Sequence, residues 1–264
     1  MIGKGHEPHS CEAEANDPNG ASENAQGEQE GNDLPDDAEE NNHGTECARN
    51  GVEPGDTPLS APGACTDPAW ANSGSKESDP HAWSFNQGSI PTELGATATL
   101  TAVQNGGQNI ARANNDCGYA DNVSASLNYL GTTSVATNIG TNGGCSFGTT
   151  TENNTSVVAF GQIDGTPLAV ECSFVSNGEV LTSDIKLNKS RYTWTNTPGT
   201  NCSDTNKKWD VETVMTHERG HTFGLDDLNE DLHGNLTMGG KIRHCGTKER
   251  TLGQGDVLGL EQKY

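Results

Sequence analysis

Two histidines and a glutamate within residues 216–227 have the types and the spacing needed to activate water on a metal ion. His217 and His221 are four residues apart, so on a helix both imidazoles face the same side, one turn apart. Two nitrogen ligands placed in this way suit a tetrahedral zinc ion. Glu218 follows the first histidine, and its carboxylate can accept a proton from a water molecule whose pKa zinc has lowered. The segment therefore predicts a catalytic zinc site with Glu218 as general base.

A catalytic zinc ion also needs a third protein ligand and an open fourth position. Gly224 allows the chain to turn sharply out of the helix, and Asp227, three residues later, can then return to supply an oxygen ligand. Asp226 is an adjacent alternative, and His233 and His244 are more distant ones. We expect Asp227 to be the ligand.

The ligand segment requires a helix, and its neighbours predict one from Asp210 to about Phe223. Asp210 can cap the helix, Glu212 favours its positive end, and Gly224 can end it in a left-handed conformation.

A second helix is predicted to begin near Thr251. Thr251 and Gln254 have the spacing of a capping box, and Val257, Leu260 and Tyr264 fall on one stripe of the helix.

Earlier residues predict a sheet and one further helix. Alternating or continuous apolar runs predict strands at residues 82–85, 123–130, 156–160, 168–175 and 180–187. Asn177-Gly178 between the last two strands is typical of a tight β-hairpin. A helix is predicted over residues 91–104, with Thr92 as its cap.

The charge of the chain is concentrated in its first 80 residues. The chain has 15 Lys and Arg against 37 Asp and Glu, and residues 1–80 hold 18 of the acidic and 3 of the basic ones. So polar a segment buries too little apolar surface to offset its ordering entropy, which predicts a disordered acidic tail or linker. Residues 81–264 have the length of one domain. The acidic balance disfavours nucleic acid and anionic lipid as partners, and no apolar run is long enough to span a membrane.

The motif His-Glu-x-x-His-x-x-Gly-x-x-Asp at residues 217–227 resembles the zinc signature of the metzincin metallopeptidases. Aspartate in the last position, where the family usually has histidine, resembles the snapalysin branch. The wider context is similar to bacterial matrixin-type domains. Leu236-Thr-Met238-Gly-Gly resembles the Met-turn, residues 251–264 resemble the final helix, and residues 182–188 resemble the strand before the active-site helix.

The resemblance implies an α+β fold, with a twisted mixed β-sheet, an active-site helix, a Met-turn and a C-terminal helix. It implies His217, His221 and Asp227 as zinc ligands, Glu218 as base and then proton donor to the leaving amine, and Met238 as a hydrophobic floor. Substrate would lie extended along an edge strand, for which residues 168–175 are our candidate.

Two departures from the family pattern carry consequences. The negative charge of Asp227 should make zinc a weaker Lewis acid, which would lower activity or shift its pH optimum. Gly220 lies inside the active-site helix, where glycine costs about 1 kcal/mol relative to alanine, so we expect close packing there.

The cysteines predict disulfides and an oxidising compartment, because no Cys-x-x-Cys or other metal spacing occurs. We expect Cys117–Cys145 and Cys172–Cys202 as local pairs and Cys65 as the partner of Cys245. The chain is therefore expected to be extracellular, although its first residues contain no apolar run typical of a signal peptide.

A calcium ion, common in the matrixin branch, is a further expectation from the resemblance. Asp116, Asp121 and Glu152 are candidate oxygen ligands, although no EF-hand spacing is present.

The leading hypothesis is a secreted, monomeric zinc endopeptidase acting on protein or peptide substrates. Three alternatives remain open. One is a zinc-binding metzincin-like domain with little or no proteolytic activity because of Asp227. Another is a non-enzymatic acidic secreted protein that binds cations or surfaces. The third is a zinc hydrolase with a non-peptide substrate.

Overall fold

A computed structural model describes residues 11–14, as backbone only, and residues 61–77, 80–146, 155–240 and 242–264. The strands are β1 Cys11–Glu14, β2 Ala71–Asn72, β3 Lys76–Glu77, β4 His81–Phe85, β5 Leu127–Thr132, β6 Ser156–Gly161, β7 Pro167–Ser176, β8 Glu179–Asn188, β9 Trp194–Thr195, β10 Trp209–Asp210 and β11 Leu225–Asp226. The α-helices are α1 Ala96–Ala111, α2 Pro198–Asn201, α3 Val211–Thr222, α4 Glu230–His233 and α5 Gln254–Lys263.

The described strands form one large mixed sheet and two small two-stranded sheets. The large sheet has the order β1-β7-β8-β6-β4-β5, and β3 pairs separately with β8. Strands β5, β4, β6 and β8 run parallel, whereas β7 is antiparallel to β8 and β1 is antiparallel to β7. A mostly parallel mixed sheet with several helices is consistent with the expected α+β class.

Four of the five predicted strands lie where the sequence pattern placed them, as β4, β6, β7 and β8. The hairpin between β7 and β8 turns at Asn177 and Gly178, both with positive φ (54° and 80°), as this residue pair predicts. The other strand, β5, begins at Leu127 rather than at residue 123. Val123 and Ala125 instead pack into an apolar cluster beside the C-terminal helix, so their alternation reflects burial and not sheet pairing.

The helix predicted over residues 91–104 is displaced along the chain and forms α1. Leu94 donates a backbone hydrogen bond to Pro91 (3.0 Å) in a turn, and Gly95, in an extended conformation, is the N-cap. Thr92 is therefore not the cap. The helix continues to Ala111 because its buried face continues, with Ile110 fully enclosed.

The main core lies between the large sheet and the paired helices α1 and α3. Its buried side chains include Trp83 and Phe85 from β4, Ile185 and Leu187 from β8, and Val214 from α3. Gly106 lets the two helices approach closely, since a Cβ atom there would lie 2.5 Å from the Cβ atom of Met215. The sheet and α1 together fix the position of α3.

Residues 61–77, which composition assigned to the linker, contribute to this domain. Strand β2 pairs with β11, β3 pairs with β8, and Trp70 packs against an apolar cluster at α5. A disulfide and backbone pairing hold this segment in place, so it needs few apolar residues to be ordered. Its composition therefore did not indicate that it belongs to the domain. Strand β1 is a second ordered element that composition did not predict. The remaining residues of the expected tail lie outside the described ranges.

The disulfide pairing predicted from local spacing is wrong in all three pairs. The structure has the disulfides Cys65–Cys117, Cys145–Cys172 and Cys202–Cys245. Spacing along the chain did not reveal that distant loops meet. Residue 245, for example, donates a backbone hydrogen bond to Lys208 O (2.9 Å), which brings it beside residue 202. Three disulfides are consistent with an extracellular protein.

Among the described residues, no helix combines the length and the apolar character needed to cross a bilayer.

The contact between α1 and α3 can be tested with Gly106→Ala. The added methyl group would overlap the backbone and side chain of Met215, so we expect the free energy of unfolding to fall by about 1–3 kcal/mol, measured by urea denaturation. Gly199→Ala is the control, because a Cβ atom there meets nothing within 4 Å. Equal stability of the two variants would contradict the close helix approach.

Candidate metal site and active centre

Helix α3 is capped and terminated as the sequence predicts. Asp210 Oδ2 accepts a hydrogen bond from the backbone N–H of Thr213 (2.9 Å) at its start, and Glu212 lies in the first turn. Arg250 holds the same Asp210 carboxylate through two hydrogen bonds of 2.7 Å. Gly224 follows the helix with φ of 84°, in the left-handed region. The helix is thereby fixed at both ends.

The chain then reverses and brings Asp227 back to the helix. After Gly224, residues Leu225 and Asp226 form β11 and pair antiparallel with β2, from the segment that the sequence assigned to the linker. This pairing directs the following residue towards the two histidines.

His217, His221 and Asp227 converge on one point. The Nε2 atoms of the two histidines are 3.2 Å apart, and Asp227 Oδ1 lies 3.3 Å from Nε2 of His217 and 3.5 Å from Nε2 of His221. Among the described residues they form the one group of three His, Cys, Asp or Glu side chains whose ligand atoms come within 4.8 Å of one another. The group could hold a metal ion.

The spacing of these atoms fits a small tetrahedral metal ion. Ligands about 2.0–2.1 Å from a tetrahedral centre are about 3.3–3.4 Å from each other. The three observed separations of 3.2, 3.3 and 3.5 Å bracket that value. Two nitrogen donors and one oxygen donor disfavour calcium and magnesium, which take oxygen ligands.

Backbone carbonyl groups orient both imidazole rings. His217 Nδ1 donates to the carbonyl oxygen of Thr237 (2.9 Å), and His221 Nδ1 donates to that of Leu225 (3.0 Å). Because Nδ1 carries the proton in each ring, Nε2 keeps its lone pair for a metal ion.

The centre is enclosed except at Asp227. His217 and Glu218 are fully buried and His221 is 5 % exposed, whereas the side chain of Asp227 is 31 % exposed. Burial lowers the pKa of His217, chiefly by desolvation, which keeps the imidazole neutral as a metal ligand must be. The cluster is therefore open to solvent on the side of Asp227.

The alternative ligands have other partners. Asp226 Oδ1 accepts a hydrogen bond from the backbone N–H of Asp227 (2.9 Å). His233 pairs with buried Asp67 (2.9 Å), and His244 pairs with Asp204 (3.0 Å). The structure thus brings Asp227 to the histidines and leaves the other three candidates outside the cluster.

Met238 lies directly beneath the helix turn that carries the histidines. It is 2 % exposed, within the short 3-10 turn Thr237–Gly239. A Cβ atom at Gly220 would overlap its sulfur atom. The expected close packing at Gly220 is therefore confirmed. The side chain of Met238 packs so closely against residue 220 that only glycine fits there.

One buried carboxylate holds this turn in place. Asp256, from the first turn of α5, accepts hydrogen bonds from the backbone N–H groups of Thr237 (2.9 Å), Met238 (3.1 Å) and Gly253 (2.8 Å). The last of these caps α5, so the cap is Gly253 with Asp256 and not the predicted pair Thr251 and Gln254. Val257 and Leu260 are buried on the predicted stripe. Asp256 thereby connects α5 to the carbonyl group that orients His217.

A buried charge network behind α3 escaped sequence reasoning. Arg219 is fully buried, with its guanidinium 4.8 Å from the ring of Trp83 and Nη1 3.0 Å from His81 Nε2. His81 Nδ1 lies 2.9 Å from Glu77. Burial, and then Arg219, lower the pKa of His81 well below its usual value, so His81 accepts from Arg219 and donates to Glu77. The one feature of the sequence that pointed to this network is Arg219 itself, because a charged residue on a buried face of the ligand helix needs charged or polar partners.

Two more carboxylates lie near Arg219 under the sheet-facing side of α3. Glu171 Oε1 accepts from the Ser183 hydroxyl, which is 2.7 Å from the hydroxyl of Thr222 at the end of α3. Asp184 accepts backbone hydrogen bonds from Asn138, in a loop, and from Val157, in β6. Burial raises the pKa of Glu171 and of Asp184 to about 7, while Arg219 opposes the rise.

The candidate calcium ligands are not gathered into one site by the described residues. Asp116 accepts a hydrogen bond from the hydroxyl of Thr251 (3.0 Å), and Asp121 from the backbone N–H of Val123 (3.3 Å). Glu152 lies outside the described ranges.

No protein-family model matches the chain, and no curated protein matches it in sequence.

The support of the turn under His217 can be tested with Asp256→Ala. Three buried N–H groups would lose their acceptor, so we expect the free energy of unfolding to fall by about 3 kcal/mol or more. Loss of this outer support should also weaken the binding of a divalent metal ion by about tenfold or more, measured with Zn²⁺ as the probe in competition with a chromogenic chelator. Gln262→Ala, at an exposed position of α5, is the control. Unchanged zinc affinity in a folded Asp256→Ala chain would contradict the connection.

The buried carboxyl group of Glu171 predicts a pH dependence of stability. A folded-state pKa of about 7, raised from 4.5, favours the protonated form, so its contribution to stability is complete below about pH 4.5 and is lost as pH rises towards 7. Between pH 5 and 7.5 the unchanged chain should lose about 2–3 kcal/mol relative to Glu171→Gln, at about 1.36 kcal/mol per pKa unit. Both chains are unfolded in urea with EDTA present, so that metal binding adds no pH dependence. Parallel stability curves would contradict this prediction.

Proposed function

We propose that the chain is a secreted zinc-dependent endopeptidase of the metzincin type. The observation that carries the proposal is the convergence of His217, His221 and Asp227 at tetrahedral spacing, with Glu218 buried on the same helix. Glu218 is adjacent in sequence to His217, and its carboxylate can accept a proton from a water molecule held at the cluster.

Zinc is the proposed metal because of the donor set and its geometry. Two imidazole nitrogens and one carboxylate, with a fourth position open, are typical of catalytic zinc sites. Histidines that bind zinc usually donate a hydrogen bond from their other ring nitrogen. His217 and His221 do so from Nδ1, to the carbonyl oxygens of Thr237 and Leu225 respectively.

The surroundings of the site support the metzincin assignment. The resemblance implied a mixed sheet, an active-site helix, a methionine turn beneath the metal and a final helix. In the structure, Met238 packs under Gly220 on α3, and Asp256 on α5 holds its turn. The candidate substrate strand, residues 168–175, lies in β7, which is antiparallel to β8 and pairs with β1 on its outer side.

Bound zinc would supply a Lewis acid that lowers the pKa of water and polarises the scissile carbonyl group. Glu218 would accept the proton of the attacking water on a carboxylate oxygen and then donate it to the nitrogen of the leaving amine. The negative charge of Asp227 would make the metal a weaker acid than a third histidine would.

Three disulfides support an extracellular location, where such bonds persist. We expect the enzyme to act as a monomer on protein or peptide substrates, since a complete ligand set comes from one chain.

The proposed function is tested by casein hydrolysis with zinc content measured on the same samples. Glu218→Gln should retain about one zinc ion per chain and lose about 10²–10⁴-fold in rate, because it removes the general base but no ligand. Glu179→Gln, at an exposed position of β8, is the control and should cleave like the unchanged chain.

Two results would point elsewhere. If all three chains hold zinc and none cleaves, the alternative of a zinc-binding domain with little proteolytic activity is favoured. If none holds zinc, the proposed metal centre is wrong.

A further inference from the structure

A segment from the start of the domain pairs with the turn that leads from α3 to Asp227. We call residues 61–77 the strap. Strand β2 of the strap runs antiparallel to β11, whose last residue, Asp226, immediately precedes Asp227. The backbone N–H of Ser73 adds a hydrogen bond to the carbonyl oxygen of Gly224 (3.1 Å), where the chain leaves the helix. From Gly224 to Asp226 the chain is therefore paired with the strap.

The turn and the strap are in close contact beyond this pairing. A Cβ atom at Gly224 would lie 2.3 Å from the carbonyl oxygen of Ser75, so the two backbones meet directly. Lys263, on α5, donates to the same carbonyl oxygen (2.6 Å) and to the side-chain oxygen of Asn72 (2.5 Å). The ammonium group thereby fixes the strap at the place where it contacts the turn.

The strap is attached to the domain by bonds that do not involve β11. A disulfide joins Cys65 to Cys117, and the buried carboxylate of Asp67 pairs with His233 (2.9 Å). The carbonyl oxygen of Asp67 also accepts a hydrogen bond from the backbone N–H of Gly255, in α5 (2.8 Å). Because it is fixed at these other points, the strap can determine where β11 lies.

The short side chain of the third candidate ligand makes the position of this backbone important. The carboxylate oxygens of Asp227 are one bond nearer to Cβ than the Nε2 atom of a histidine is. Oδ1 nevertheless lies 3.3 Å from Nε2 of His217 and 3.5 Å from Nε2 of His221, a spacing that suits ligands of one tetrahedral ion. The backbone at residue 227 must therefore lie close to the histidines, and a small displacement would take the oxygen out of reach.

We propose that residues 71–73 of the strap are positioning residues for Asp227, and that they fit the third-ligand position to a side chain of the length of aspartate. The strap thereby sets the metal affinity of a cluster to which it contributes no ligand. Groups outside the ligand shell change metal affinity by about 10–100-fold in known sites. The proposal rests on the metal centre of the proposed function, but not on the cleavage of any substrate.

The experiment is a double-mutant cycle that joins a change in the strap to a change in ligand length. Ser73→Pro removes the N–H group that donates to Gly224, and Ser73→Ala, which keeps that group, is its matched control. Each is combined with Asp227→Glu, which keeps the carboxylate and adds one methylene group. The affinity of each full-length chain for Co²⁺ is measured from its visible absorption in competition with a chelator, and the folded fraction is measured on the same samples.

In the Ser73→Ala background, Asp227→Glu should weaken Co²⁺ binding by about tenfold, because the backbone is fixed for the shorter side chain. In the Ser73→Pro background, Asp227→Glu should change the affinity by about twofold or less, because the backbone can move away from the histidines. Ser73→Pro alone should bind Co²⁺ about tenfold more weakly than Ser73→Ala. Equal effects of Asp227→Glu in the two backgrounds would overturn the proposal, since a strap that only stabilised the fold would lower every affinity by the same factor.

Lys263→Met tests the same contact without a proline. It removes two side-chain hydrogen bonds to the strap, and it replaces Ser73→Pro in the cycle if the proline variant does not fold. If no chain binds Co²⁺ or Zn²⁺, the proposed metal centre is wrong. Exchange of the amide hydrogens of Leu225 and Asp226 then decides whether the strap holds the turn. Faster exchange in Ser73→Pro than in Ser73→Ala would support this hold, and equal exchange would overturn it.

Discussion

The hydrogen bond from His217 Nδ1 to the carbonyl group of Thr237 joins the two halves of the candidate metal site. This hydrogen bond sets the tautomer and the ring plane of His217. Its geometry depends on the position of the turn that contains Thr237. That turn is held by the buried carboxylate of Asp256 and packs against Gly220 through Met238. The candidate metal site therefore depends on α5 as much as on α3.

The local parts of this arrangement could be predicted from sequence. The cap at Asp210, the left-handed turn at Gly224 and the facing histidines each depend on residues within one or two turns of the chain. The hairpin at Asn177 and the strands on either side were predictable for the same reason. Backbone preferences and burial patterns depend on residues that are close together along the chain, and a single sequence shows such local relations directly.

The long-range parts could not be predicted in this way. The disulfides join cysteines that are 27 to 52 residues apart, and spacing along the chain carries no record of which segments meet. The pairs of Arg219 with His81 and of Asp67 with His233 likewise join residues more than a hundred positions apart. Composition also undervalued residues 61–77, since a disulfide and strand pairing can order a polar segment that buries little apolar surface.

The disulfide between Cys145 and Cys172 has a consequence for how β7 meets a partner. Cys172 is fully buried in the middle of β7, and the bond connects it to the loop that precedes β6. A strand that is hydrogen-bonded to β8 on one side and covalently bonded to a loop keeps its shape whichever strand lies on its outer side. A peptide that paired with such a strand would bear the entropy cost of ordering only itself, so that its affinity would depend on preorganisation as well as on contact area.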